Sequence, residues 1–440
     1  MQRRLKKLDT RVSQSLILVL LAAASLTDAR AGEWKGFQNG GLPIVPDASY
    51  ATRWSPESGI TWQQPLAGYG QSTPVVMGNR IFVTSVSGDL KENLHVQVFD
   101  LKTGESLWNF DAKNSSPVKS TNYVSKAAPT PVCDGNGVIA LFEGGNIVAL
   151  STDGTRRWER DLVTDYGPVE SRHGLSSSLE QTEQLVFVWI ERSEQPYVLA
   201  LSKKTGETIW KADGLGVTSW SSPRLVPVGD ASHLVLSGVG KLAGFDPSTG
   251  KRLWELDGIS GNSTPTPVPL GGGRFLIGAT VGRGESGGGN AAESNGVIQI
   301  SGTPASGFAA DYVWRASAAT SSFGSPIAHN GLAWFVNREG VLYCLDVKTG
   351  DEKYARRTAS SIWSTPLVIG DRLYLFGKDG TTTILNASVD FEVQAENTLW
   401  AAEPAGGQSE LFGESVLYAA AAADSTLILR RGDRLFAIRP

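Results

Sequence analysis

One unit of sequence recurs through most of this chain, and it constrains the fold more than any other feature. Asp100 to Trp108 reads DLKTGESLW; the pattern returns as LSKKTGETIW, ending at Trp210, as FDPSTGKRLW, ending at Trp254, and as LDVKTGDEKY, ending at Tyr354. Each copy follows three short apolar segments. In the first unit these are QSTPVV (Gln71 to Val76), NRIFVTS (Asn79 to Ser85) and LHVQVFD (Leu94 to Asp100). These segments alternate or run apolar for four to six residues, which is a strand pattern and not a helical one. The terminal aromatics Trp108, Trp158, Trp210, Trp254, Trp314, Tyr354 and Trp400 recur at intervals of 40 to 60 residues. Four strands at such a period indicate a β-propeller blade.

The ends complete the count. After Trp400 come three strand patterns, ESVLYAA, STLILRR and DRLFAIRP, and no fourth. The missing strand stands at the front, as ITWQQPL around Trp62. The sequence therefore predicts an all-β, eight-bladed propeller of four-stranded antiparallel blades. Its N-terminal strand around Trp62 completes the C-terminal blade, which ties down both chain ends. Residues 59–440 form this propeller, behind a signal segment over 1–31 and an N-terminal arm over 32–58.

The recurring turn has a local logic. Asp or Ser accepts backbone N–H bonds, and Gly takes the positive φ that reverses the chain. The aromatic recurs once per blade, so Trp62, Trp108, Trp158, Trp210, Trp254, Trp314, Tyr354 and Trp400 are read as blade-packing groups rather than chemical ones.

The first 31 residues carry a basic start, MQRRLKKLDTRV, a short apolar run, SLILVLLAAASL, and an Ala-x-Ala site at Ala29 and Ala31. This is the layout of a secretory signal cleaved after Ala31. It implies a periplasmic or secreted protein with no membrane span after cleavage. Cleavage removes six Lys/Arg and two acids and takes the formal charge from −4 to −8. An acidic product is unsuited to nucleic acid. The two cysteines, Cys133 and Cys344, lie in apolar strand patterns far apart in sequence and suggest no disulfide framework.

On the LD..TG...W motif and the preceding S.PVV...RIFV, the chain resembles the pyrroloquinoline-quinone-type repeat β-propellers from about residue 60 to the end. It looks most like the BamB-like, non-catalytic branch and its secreted members; the head segment EWKGFQNGGLPI fits the latter. That resemblance implies an exported scaffold for protein or envelope partners, monomeric and without a cofactor. The alternatives it leaves are a quinone-dependent dehydrogenase with altered cofactor ligation, or a small-molecule or glycan-binding propeller. Dehydrogenases of the family carry adjacent cysteines and a Ca²⁺ held by Glu, Asn and Asp; the cysteines here are not adjacent, and no compact acidic loop marks a Ca²⁺ site. Assembly factors of the family are lipid-anchored through a Cys that this chain lacks near its signal site.

Other motifs fail for want of context. GRGESG (Gly282 to Gly287) matches a dinucleotide fingerprint but sits in a Gly-rich loop between strands. RGD (Arg431 to Asp433) reads as a turn. His95, His173, His233 and His329 have no metal-ligand spacing, so no metal site is expected. Residues preceding each innermost strand should border the central channel. These are Gln71, Lys126, His173 with its neighbour Arg172, Trp220, Asn262, Phe323, Trp363 and Phe412. They form either a binding mouth or a set of groups that plug the channel by contacting each other.

Overall fold

A computed structural model describes residues 32–45, 49–121, 124–169, 171, 173–192, 194–217, 219–280, 291–401 and 415–440. The signal segment 1–31, Arg172, Phe412 and the GRGESG loop lie outside the described residues. Eight antiparallel four-stranded sheets follow one another round a ring. The first blade comprises Val75–Met77, Arg80–Ser87, Asn93–Asp100 and Ser106–Lys113. The eighth comprises Leu417–Ala423, Thr426–Arg431, Arg434–Ile438 and the N-terminal strand Ile60–Pro65. Gln63 lies opposite Phe436 and Pro65 opposite Arg434, so the chain ends close the ring in one sheet. No helix among the described residues is long and apolar enough to cross a membrane.

Burial follows position in the blade. The second and third strands are apolar and buried on both faces, as in Leu185–Ile190 and Tyr197–Ser202, because blades stack face to face. The outermost strands alternate, as in Thr208–Asp213, because only one of their faces is covered by a neighbouring blade.

The Thr-Gly turn and the aromatic form one device between neighbouring blades. Asp100 Oδ1 accepts from the Lys102 and Thr103 N–H groups, both at 2.8 Å, and Gly104 follows with φ +74°. Asp246 and Asp346 repeat this arrangement. Trp62 of blade eight then donates from Nε1 to Leu101 O, in the turn of blade one, at 3.2 Å. Trp108, Trp158, Trp210 and Trp314 each donate to the corresponding turn of the next blade, at 2.9–3.0 Å. The turn glycine is where the indole rests. A Cβ on Gly206 would lie 2.7 Å from Trp158 Cδ2.

Gly206→Ala is therefore expected to cost about 2 kcal/mol, through forced φ and lost stacking. Gly78→Ala, at φ +57° with open space around it, is the control and should cost less. Urea unfolding midpoints of the two variants measure the difference.

Three markers depart from the pattern. Trp254 donates instead to His233 Nδ1, at 3.0 Å, because blade five has no Thr-Gly turn. Its strands Gly296–Thr303 and Gly307–Arg315 form a longer hairpin, and Phe308 from that hairpin packs on the His233 ring at 4.5 Å. Tyr354 accepts at its hydroxyl from Trp334 Nε1 of its own blade. Trp400 is displaced altogether. The register that pairs Trp210 with Ala200 and Trp254 with Gly244 pairs Ala395, not Trp400, with Ile384 in blade seven. Trp400 follows the strand Val393–Thr398 and packs on Phe436 at 6.2 Å. The aromatic spacing survives there although the structural position has moved.

Candidate functional site at the two ends of the channel

The innermost strands begin at the upper end of the channel and turn into the second strands at its lower end. A Ser or Thr stands just before each of seven innermost strands. Its N–H donates to the side-chain oxygen of its counterpart in the next blade: Thr73 to Thr130, Thr130 to Ser178, Ser178 to Ser222, Ser222 to Thr266, Thr266 to Ser325 and Ser325 to Thr365, all within 2.9–3.1 Å. In six of the seven a proline follows, which has no N–H to spend on the sheet edge. The recurrent Ser/Thr-Pro pair is thus a girdle joining blades one to seven. Its repetition in sequence was the available signal, and only blade adjacency reveals the bond.

At the upper end the predicted mouth residues meet in neighbouring pairs. Gln71 Oε1 accepts from Lys126 N at 2.9 Å. His173 and Trp220 face each other with ring centroids 5.5 Å apart, and Phe323 and Trp363 do so at 5.0 Å. Phe323 is 45% exposed, and Lys378 Nζ lies 5.3 Å from the Trp363 ring. Two of the residues have their side chains turned into the protein. Asn262 is fully buried beneath the mouth, where its side chain binds Gly240 N, Ser237 Oγ and Lys241 O. Lys126 turns inward, donating from Nζ to Thr121 O and Val124 O. Burial lowers its ammonium pKa to about 8; repulsion by Lys91 adds to this and Glu143 opposes it. Lys91 and Glu143 themselves form a buried ion pair at 3.1 Å. They line a cavity of about 440 Å³ with Asn114, Val118 and Val124.

The lower end is occupied by the arm. Trp34 exchanges both backbone bonds with Val76 of blade one, at 2.9 and 2.8 Å. Lys35 O accepts from Cys133 N of blade two and Gln181 Nε2 of blade three. Phe37 O and Gln38 Oε1 accept from Arg224 Nη2 of blade four, at 3.0 and 3.3 Å. Gly41, at φ +107°, fits between Arg224 and Pro269, where a Cβ would come within 2.9 Å of both. Ile44–Val45 then adds as a parallel fifth strand to Leu367–Ile369 of blade seven. The arm leaves outward by way of blade seven, where Trp54 N donates to Asn397 Oδ1. It thus touches blades one, two, three, four, five and seven, and Gln38 Nε2 also donates to Thr365 Oγ1 of blade seven at 3.2 Å. Below it lies a basin of about 1350 Å³, bordered by arm residues and the lower turns.

Arg224 holds this arrangement together. It is fully buried and bonds Glu180 Oε2 of blade three at 2.8 Å. Burial lowers the guanidinium pKa, and Glu180 opposes that change. Cys133 and Cys344 are free and buried in blades two and six, and burial raises both thiol pKa values, to about 12 at Cys344.

With this geometry in view, the family model described as outer membrane protein assembly factor BamB matches residues 27–188, 194–282 and 308–440. The chain belongs to that family. An outer membrane protein assembly factor BamB of Alkalilimnicola ehrlichii is 27% identical over 171 residues, and the match spans 38% of each chain. The chain therefore aligns with well under two thirds of that relative. Among solved structures, BamB from Moraxella catarrhalis aligns with a TM-score of 0.57 at 14% identity, covering 87% of this chain and 99% of that one. A quinohemoprotein alcohol dehydrogenase from Comamonas testosteroni aligns at 0.59 and 13% identity, covering 93% and 80%. At such identities the two likenesses establish the propeller fold alone.

Proposed function

We propose that the chain is an exported scaffold of the cell envelope that binds protein partners at the upper mouth of its propeller. The family match across nearly every repeat carries this reading. Two features support the choice of mouth. The arm fills the lower end of the channel, and the upper end presents the exposed Phe323 beside Trp363 and Lys378. Exposed aromatics flanked by polar groups are the anchors that protein interfaces use. The acidic mature chain, its export by the signal segment and its monomeric state belong to the same proposal.

A photo-crosslinking residue at position 323 tests it, with position 389, an exposed site in blade seven, as control. In cells, position 323 is expected to give a discrete adduct with an envelope protein, lost on Trp363→Ala, while position 389 gives none. Identical adducts at both positions, or none at 323, would overturn the reading. The quinone alternative has its own readout. Pyrroloquinoline quinone with Ca²⁺ and a panel of alcohols is expected to reduce no electron-accepting dye, and saturable reduction would establish the dehydrogenase instead.

A further inference from the structure

Blade one carries a line of hydrogen-bonded side chains that neither end of the channel uses. Ser87 closes the strand Arg80–Ser87, His95 lies in Asn93–Asp100 and Asp111 in Ser106–Lys113. The register sets His95 opposite both Ser85 and Asp111, and Ser87 opposite Asn93. Residues two apart on a strand share a face, so Ser87 reaches His95 on the diagonal. His95 Nε2 lies 2.9 Å from Ser87 Oγ, and His95 Nδ1 lies 2.6 Å from Asp111 Oδ1.

The donor and acceptor roles follow from the chemistry of the ends. An ionised Asp111 only accepts, which places the ring proton on Nδ1 and leaves the Nε2 lone pair for the Ser87 hydroxyl. On the other side, Asn93 Nδ2 donates to Ser87 Oγ at 3.3 Å. Lys113 Nζ donates to Asn93 Oδ1 at 2.6 Å and so turns the amide N–H₂ toward Ser87. His95 is 9% exposed, while Ser87 is half-buried and reachable from solvent. The order is nucleophile, base, orienting carboxylate, with a side-chain amide donor beside the nucleophile. Those are the roles that define a serine acyl-transfer site on any fold.

We propose that Ser87 is a nucleophile toward small uncharged esters, with His95 as general base and Asp111 as its positioning residue. Ser87 Oγ forms a bond to the acyl carbon as its proton passes to His95 Nε2. The bond from that carbon to the leaving oxygen breaks, and the leaving alcohol takes the proton from Nε2. Water repeats the sequence on the acyl-Ser87 and releases the carboxylic acid. Asn93 Nδ2 donates to the oxyanion in both halves. The loop that leaves Ser87 exposes Leu90, and Val118 N donates to Leu90 O at 3.0 Å. Leu90 and Val118 are both exposed apolar side chains at these positions, available to a short aliphatic group. The site is independent of partner binding at the upper mouth.

The test uses the purified mature chain, a fluorophosphonate probe and p-nitrophenyl acetate. The probe is expected to form one adduct, at Ser87 by peptide mass spectrometry, and Ser87→Ala should abolish both the adduct and ester turnover. His95→Gln and Asp111→Asn are each expected to slow adduct formation by on the order of a hundredfold. The Asp111 side chain is 70% exposed, so Asp111→Asn should leave the melting temperature unchanged and separates chemistry from folding. An unlabelled Ser87 in the folded protein, an adduct at another residue, or equal labelling rates in wild type and Asp111→Asn would each overturn the proposal.

Discussion

Arg224→Met is expected to destabilise the protein by about 3–5 kcal/mol, and Arg224→Met combined with Glu180→Leu to recover most of that loss. The single change leaves the Glu180 carboxylate, 6% exposed, without its 2.8 Å partner. It also leaves Phe37 O and Gln38 Oε1 without the donor that holds the arm. The double change removes the buried charge but not the second deficit. The two variants should therefore separate in urea unfolding and agree in limited proteolysis, with both cut faster than wild type within residues 32–58. If the double variant were as unstable as the single one, the arm contact and not the ion pair would dominate. If neither were cut faster, Arg224 would not be what seats the arm.

That prediction concerns a part of the molecule the sequence did not disclose. The propeller was legible because its causes are local and repeated. A Thr-Gly turn needs Asp or Ser before it, and buried strands need apolar runs; four copies of the turn and eight spaced aromatics reveal the repeat without any knowledge of contacts. Even the closing strand around Trp62 was legible, as the one piece missing from the last unit. The arm over residues 32–58 occurs once. Trp34, Gln38 and Gly41 carry no period, and their partners Val76, Arg224 and Pro269 are distant in sequence. The displacement of Trp400 has the same origin. Spacing along the chain measures the length of a blade but not the register of its last strand, and blade seven puts Ala395 where the aromatic stands elsewhere. Of the mouth, sequence position named His173, Trp220, Phe323 and Trp363 singly, and the structure brings their rings together two by two. It could not tell that Asn262 is buried, because its partners Ser237, Gly240 and Lys241 belong to the preceding blade.

Trp62→Ala is the second large effect expected, and its character should differ from the same change at Trp210. Each indole is buried, at 9% and 8% exposure, and each donates to a turn of the next blade. Truncation should cost about 3–5 kcal/mol at either site. The strand that carries Trp210, Thr208–Asp213, is tied to its own blade by the covalent turn from Tyr197–Ser202, so blade three survives the loss. Ile60–Pro65 has no such tie to Arg434–Ile438, which lies at the other end of the chain. The seam is held by the strand pairing itself, by the Trp62 contact with Leu101 and Gly104, by Arg430, and by bonds such as Gly70 N to Gly432 O and Tyr69 to Tyr418. The Arg430 guanidinium, fully buried, donates to Ser72 O, Ser72 Oγ and Thr84 O of blade one. Removing the Trp62 contact lowers the free energy of opening the ring there before the rest of the molecule unfolds. Amide exchange in residues 417–438 should accelerate in Trp62→Ala under native conditions and stay slow in Trp210→Ala at matched overall stability. Uniform acceleration along the chain in both variants would show that the ring opens only when the whole protein does.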